Sequence, residues 1–173
     1  MYLGLVNNKA DASALYVVDT TAVGNNIFAV VNNGLSHSAI SADAPADIRR
    51  LMDKLYNAGA RKFLVSNVPN VGDTPKGRNS TSAASISDLS NQFGAALDNE
   101  LNSFRNAHSD ASVKIADFKS TVKNAVGFSN TTDACYVEGA AVCANPDAYV
   151  YWDNLHPSAA MGRSLAQAAL NAL

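Results

Sequence analysis

The sequence predicts an α/β fold: a three-layer α/β/α arrangement in which a mostly parallel sheet carries helices on both faces, in a single domain over residues 1–173. Three observations predict it. Short apolar runs with β-branched residues recur along the chain, longer segments between them repeat their apolar residues every three or four positions, and no linker divides the two kinds of segment. Strands that alternate with helices in this way pair in parallel, because each connection crosses over a face of the sheet.

The first predicted strand is Ala14–Val18, running into a polar loop over residues 19–26. A helix follows, with Ser41 or Asp43 as candidate caps, Pro45 in its first turn, and Ile48, Leu51, Met52 and Leu55 as its inward residues. Gly59 ends it. Lys62–Val68 is the second strand, closed by Pro69, and a loop rich in Gly, Pro, Asn and Ser spans residues 70–82. Ile86, Leu89, Phe93, Leu97, Leu101 and Phe104 then mark one face of a long helix, with His108 at its C-terminal end, where a partly charged imidazole suits the helix dipole. Val113–Phe118 is the third strand. A short helix, a cysteine-bearing loop, and a last helix over Ser158–Leu173 with Met161, Leu165, Ala168 and Ala169 inward complete the chain.

Composition narrows the function. Apolar residues make up 47% of the chain and charged residues 16%, which describes a globular chain with a core and not a disordered one. The net charge is −2, and the only basic doublets are Arg49-Arg50 and Arg61-Lys62, too sparse for a nucleic-acid footprint. No apolar stretch approaches the ~20 residues that span a bilayer. The start, Met1–Val6, lacks the basic region and long apolar region of a signal peptide and reads as the end of an amphipathic helix begun upstream. Cys135 and Cys143 are read as a local disulfide, which implies an oxidising compartment; the alternative is two buried thiols. No third or fourth soft ligand lies near them, and no metal or cofactor is expected.

The chemistry is concentrated in Trp152-Asp153-Asn154-Leu155-His156-Pro157-Ser158. Asp and His three apart, just before a helix start, let a carboxylate meet an imidazole across one turn. A carboxylate on one ring nitrogen fixes the tautomer and raises the basicity of the other, as a general base requires.

This segment resembles the last block of the GDSL/SGNH hydrolases, in which Asp and His complete a serine triad. Two further segments are similar to that family's lipase and esterase branch: Ala58–Pro69, which matches its fourth strand, and Gly127–Asp147, which matches the cysteine loop before the final block. The resemblance implies an SGNH-like fold and carboxylic ester hydrolysis, with His156 as base and Asp153 orienting it. It further implies a small ester or lipid substrate and a secreted or periplasmic setting. Gly24-Asn25-Asn26 resembles the end of the family's Gly-x-Asn-Asp block, so Asn25 would donate its amide to the oxyanion; Val23 and Asn26 depart from that pattern, and the preceding loop is about two residues long for it.

The family's opening Gly-Asp-Ser-Leu block does not occur, so the resemblance reads as N-terminally truncated, with the nucleophile unassigned and a sheet edge left open to another copy. Ser36, in Gly34-Leu35-Ser36-His37-Ser38, has the outline of a nucleophile elbow, although the family places a loop between two helices here. Thr74 and Ser66 are weaker substitutes. The competing reading is a catalytically inactive remnant that binds or supports.

Overall fold

The computed structural model describes residues 2–173. Its centre is a three-stranded parallel sheet of β1 (Leu15–Val18), β2 (Lys62–Ser66) and β3 (Ser112–Ala116), in that spatial order. The register sets Val17 beside Leu64 and Leu64 beside Lys114. All three predicted strands are present. The second and third end two residues early, because Asn67 and Asp117 leave the sheet to hold the start of the helix after β3.

Side chains alternate across a strand, so Tyr16, Val18, Phe63, Val65, Val113 and Ile115 face one layer together. That layer holds α2 (Val23–Asn32), α3 (Ala44–Asn57) and α5 (Ala83–Ala107), and with them forms the main core. Helix α5 is the long predicted helix. Its six inward residues, Ile86, Leu89, Phe93, Leu97, Leu101 and Phe104, are all nearly or fully buried, each burial stabilising the fold by roughly 1.5–3 kcal/mol. On the opposite face α7 (Ala159–Ala172) packs on β3 and β2, which makes the third layer. Ser158 caps it by accepting from Met161 N at 3.1 Å.

The helix before β2 differs from its predicted form. A π-helical turn over Ala39–Asp43 runs directly into α3, so neither Ser41 nor Asp43 caps it; the Ser41 hydroxyl donates to the His37 carbonyl instead. Met52 is fully buried and Leu51 is exposed. Pro45, Ile48, Met52 and Leu55 share a narrow stripe, and Leu51 falls to its side. Gly59 ends the helix at φ +121°, where a Cβ would sit 2.7 Å from the Ala10 carbonyl oxygen, so no other residue fits. His108 ends α5 as expected, and gains a partner: its Nε2 lies 2.9 Å from Asp53 Oδ1, between the rings of Tyr56 and Phe104.

The loop over residues 70–82 contains a 3₁₀ turn, Val71–Asp73, and a short helix, α4 (Pro75–Arg78). Helix α6 (Phe118–Lys123) follows β3, capped by the Asp117 carboxylate on Ser120 N at 3.0 Å. Beyond it β4 (Asn130–Ala134) and β5 (Tyr149–Tyr151) form a second, two-stranded parallel sheet. Cys135 and Cys143 are joined in a disulfide. A short helix, α1 (Tyr2–Leu5), brings Tyr2 onto Tyr16 edge to face. Among the described residues β1 has no neighbour on its outer side, and Val17 there is 64% exposed. No helix among them is long and apolar enough to cross a membrane.

Candidate active site

Strand β5 delivers the chain into the turn Trp152–Pro157. The turn is closed at its base by Trp152 N donating to the His156 carbonyl at 2.9 Å. Inside it the Asp153 carboxylate accepts from Leu155 N at 2.8 Å and His156 N at 2.7 Å. The same carboxylate meets the imidazole: Oδ2 lies 2.8 Å and Oδ1 3.1 Å from His156 Nδ1. Burial works to raise the Asp153 carboxyl, but the hydrogen bonds from the His156 backbone and ring and from Leu155 N outweigh it and hold the group below its ordinary value. The ionised carboxylate only accepts, so Nδ1 carries the proton. Nε2 is then left with its lone pair free to take a proton from a third group.

The imidazole is exposed at one side of a cleft of about 410 Å³. The far wall is the C-terminal end of β1 and the start of α2, including Asp19, Thr21, Gly24 and Asn25. Asn25 lies in the first turn of α2 and not in a loop, since the helix begins at Val23. The floor is apolar, built by Val71, Phe118, Val122, Met161 and Leu165. The cleft thus sits at the carboxyl ends of the parallel strands, where α/β sheets collect ligands. It brings His156 and Asn25 onto one space, with Asp153 behind the imidazole.

Ser36 is elsewhere. It lies in the exposed turn after α2, outside the cleft lining, and its hydroxyl shares a 2.9 Å hydrogen bond with Ser38. Among the described residues no serine lines the cleft; its hydroxyls are Thr21, Thr74 and Tyr151. Thr74 is buried and occupied, donating to the Val71 carbonyl at 2.7 Å and accepting from Gly77 N at 3.1 Å as the cap of α4. Burial pushes the Tyr151 phenol up to about 12. Ser66 is buried under the cleft, donating to Asp19 Oδ1 at 3.0 Å and accepting from Thr20 N at 2.9 Å. Burial raises the Asp19 carboxyl, yet hydrogen bonds from Thr21 and Ser66 bring it below its ordinary value. In the sequence Asp19 reads only as one polar residue of a loop, with no spacing signal to mark it. No three His, Cys, Asp or Glu groups gather as metal ligands among the described residues.

Comparison with known proteins identifies the family. The model of the GDSL-like lipase/acylhydrolase family matches residues 27–169. This chain belongs to that family. Among curated relatives, it is 32% identical over 147 residues to the GDSL esterase/lipase At1g29660 of Arabidopsis thaliana, an alignment covering 72% of this chain and 40% of that protein. It is 32% identical over 126 residues to the GDSL esterase/lipase EXL6 of the same plant, covering 64% and 37%. A third, the GDSL esterase/lipase At2g04570, is 25% identical over 187 residues, covering 92% and 53%. The matched segments therefore span 37–53% of the length of these GDSL relatives. The parallel sheet, the helices on both faces and the family match together make the α/β, SGNH-like fold expected from the sequence.

Proposed function

We propose that this GDSL-family chain is a carboxylic ester hydrolase in which His156 is the general base and Asp153 its orienting carboxylate. One observation carries the reading. Asp153 holds His156 through both ring and backbone, and the free side of the imidazole opens on an apolar cleft of a size for an acyl or alkyl chain.

In the proposed reaction a serine hydroxyl, whose position is unassigned, attacks the ester carbonyl carbon while His156 Nε2 takes its proton. Asp153 stabilises the imidazolium that forms. The carbonyl π electrons move onto oxygen, and the Asn25 amide in the first turn of α2 donates to that oxyanion. The imidazolium then returns its proton to the alkoxide leaving group, and water repeats the sequence on the acyl-enzyme to release the carboxylic acid. The names of the relatives support an ester or lipid substrate for this chain, and the Cys135–Cys143 disulfide supports an oxidising, secreted or periplasmic setting.

Turnover of short-chain p-nitrophenyl esters by purified protein tests the proposal, with His156→Ala as control. Activity in the parent that the substitution abolishes is the expected result; activity that survives it overturns the assignment.

A second reading is favoured by the occupied Ser36 and Thr74 hydroxyls: a binding protein that no longer turns over. Covalent labelling by a fluorophosphonate separates the two, since an adduct on any serine eliminates an inactive chain. The exposed outer edge of β1, with Val17 in the open, supports a variant in which a second copy completes the site. An active species that sediments as a monomer disposes of it.

A further inference from the structure

Beside the apolar cleft lies a second recess of about 390 Å³ with a different chemistry. Pro69, Val122 and Tyr151 line both spaces, so the two adjoin. Three cations converge on the recess. Lys119 and Lys123 project one helical turn apart from α6, and Arg78 comes from the last turn of α4. Among the described residues none of the three has a carboxylate within ion-pair distance. The Arg78 guanidinium is anchored by Nε donating to the Asp73 backbone carbonyl at 2.8 Å, and its terminal N–H groups have no partner among the described residues. Lys119 Nζ makes a long 3.4 Å contact to Asn91 Oδ1. Against these cations the recess presents one carboxylate, Asp73, and the neutral donors of Asn70 and Asn91.

Tyr151 adds a further donor. The residue is 5% exposed, and its hydroxyl makes no hydrogen bond to the described residues. Burial, reinforced by Asp73 and opposed by Arg78, keeps the phenol protonated to about pH 12, so at neutral pH it offers a proton and no charge. The ring is packed away while the hydroxyl itself reaches the open recess.

We propose that this recess binds an oxyanion group, a phosphate or a carboxylate, carried on the same molecule whose apolar part fills the cleft. Three cations and a phenol hydroxyl line one recess and supply the charge-assisted and neutral donors such a group accepts. The proposed ligand lies over the shared residues Pro69, Val122 and Tyr151, with its apolar part in the cleft and its anionic group in the recess. Taken with the hydrolase reading, on which this consequence rests, the substrate class is an ester with an anionic group near the scissile bond. Without that reading the recess is still an anion site.

The test is binding to the whole protein by calorimetry, with octyl phosphate, octanoate and octanol as probes, in the parent and in a Lys119→Gln/Lys123→Gln variant. The two lysine side chains are at the surface of α6, so the variant should melt with the parent. At low salt one or both anions bind more tightly than octanol, and the variant loses on the order of five- to tenfold of that affinity while its octanol binding is unchanged. Which anion shows the effect identifies phosphate or carboxylate as the group. Anions that bind no better than octanol, or that bind the variant and the parent alike, overturn the proposal. Ester turnover on the same preparations reads the other question independently. Lysine-dependent anion binding without turnover removes the hydrolase and leaves the recess; turnover with lysine-independent binding does the reverse.

Discussion

The Asp153 carboxylate holds His156 at two points, with Oδ2 2.8 Å from ring Nδ1 and Oδ1 2.7 Å from the backbone N of the same residue. Position and tautomer of the imidazole thus depend on one side chain. Asp153→Asn separates the two roles. The amide oxygen can still accept from Leu155 N and His156 N, but the amide nitrogen then faces Nδ1 and favours the tautomer with the proton on Nε2. If the hydrolase reading holds, kcat falls by about a thousandfold or more, while the melting temperature changes little. Asp153→Ala removes both roles and lowers stability by a further ~1–2 kcal/mol through the unpaired turn N–H groups. Initial rates and thermal melts on the two variants check this.

Acid sensitivity follows from a second carboxylate. Burial alone would raise the Asp53 carboxyl, but hydrogen bonds from His108 and Arg49, reinforced by their charges, hold it below its ordinary value. A carboxyl whose pKa is lower in the folded chain contributes stability at pH values above its unfolded pKa, near 3.9. That contribution is lost as pH falls through the folded value. Asp53→Asn therefore lowers stability by about 1 kcal/mol at neutral pH and flattens the acid limb of the stability curve. Urea unfolding midpoints between neutral pH and pH 3 measure both effects; a variant whose acid limb stays as steep as the parent's shows that other carboxylates dominate.

The disulfide acts on the site through β4 and β5. Cys135 N donates to the Tyr151 carbonyl at 3.1 Å and Tyr136 N to the Trp152 carbonyl at 2.7 Å, so the chain at the bridge is tied directly to the strand that leads into Asp153. Tyr136 also stacks on Trp152 with ring centroids 5.8 Å apart. Closing a loop between cysteines eight positions apart restricts the unfolded chain by roughly 2–3 kcal/mol in the loop-entropy account. Reduction, or Cys135→Ser/Cys143→Ser, should cost up to about that much and reduce any His156-dependent turnover. Hydrogen exchange should show the added opening at Trp152–His156 first. Uniform loosening of the main core instead would refute the coupling.

Legibility in the sequence differs by element. β1 and β2 stand out as short apolar runs and α5 by apolar residues spaced three and four apart, and in β2 and α5 nearly all of these are buried. β4 does not, since Asn-Thr-Thr-Asp-Ala is polar, largely exposed and irregular in register, and β5 is only three residues long. Leu51 departs from its expected burial because α3 buries a narrow stripe centred on Met52, and a residue one position away falls about 100° around the helix. In the site, Asp153 and His156 are legible because one turn joins them. The recess is not: Arg78 comes from a different helix from Lys119 and Lys123, and only the packing of α4 against β4 and of α6 beside the cleft gathers them.

Asn25 supplies the sharpest test of how the far wall of the cleft contributes. Gly24 beside it is buried, and a Cβ there would meet Val71 Cγ1 at 2.9 Å, so the first turn of α2 seats directly on the 3₁₀ turn over Val71–Asp73. That contact sets where the helix turn carrying Asn25 stands at the cleft. An amide donating to a developing oxyanion matters more in the transition state than to the bound ester. Asn25→Ala should therefore lower kcat by on the order of a hundredfold or more with little change in KM. Asn25→Asp should be worse than Ala, since it sets a negative charge where a second one forms. Equal rates for the Ala and Asp variants, or a loss confined to KM, would place Asn25 in ground-state binding and leave the oxyanion to other donors.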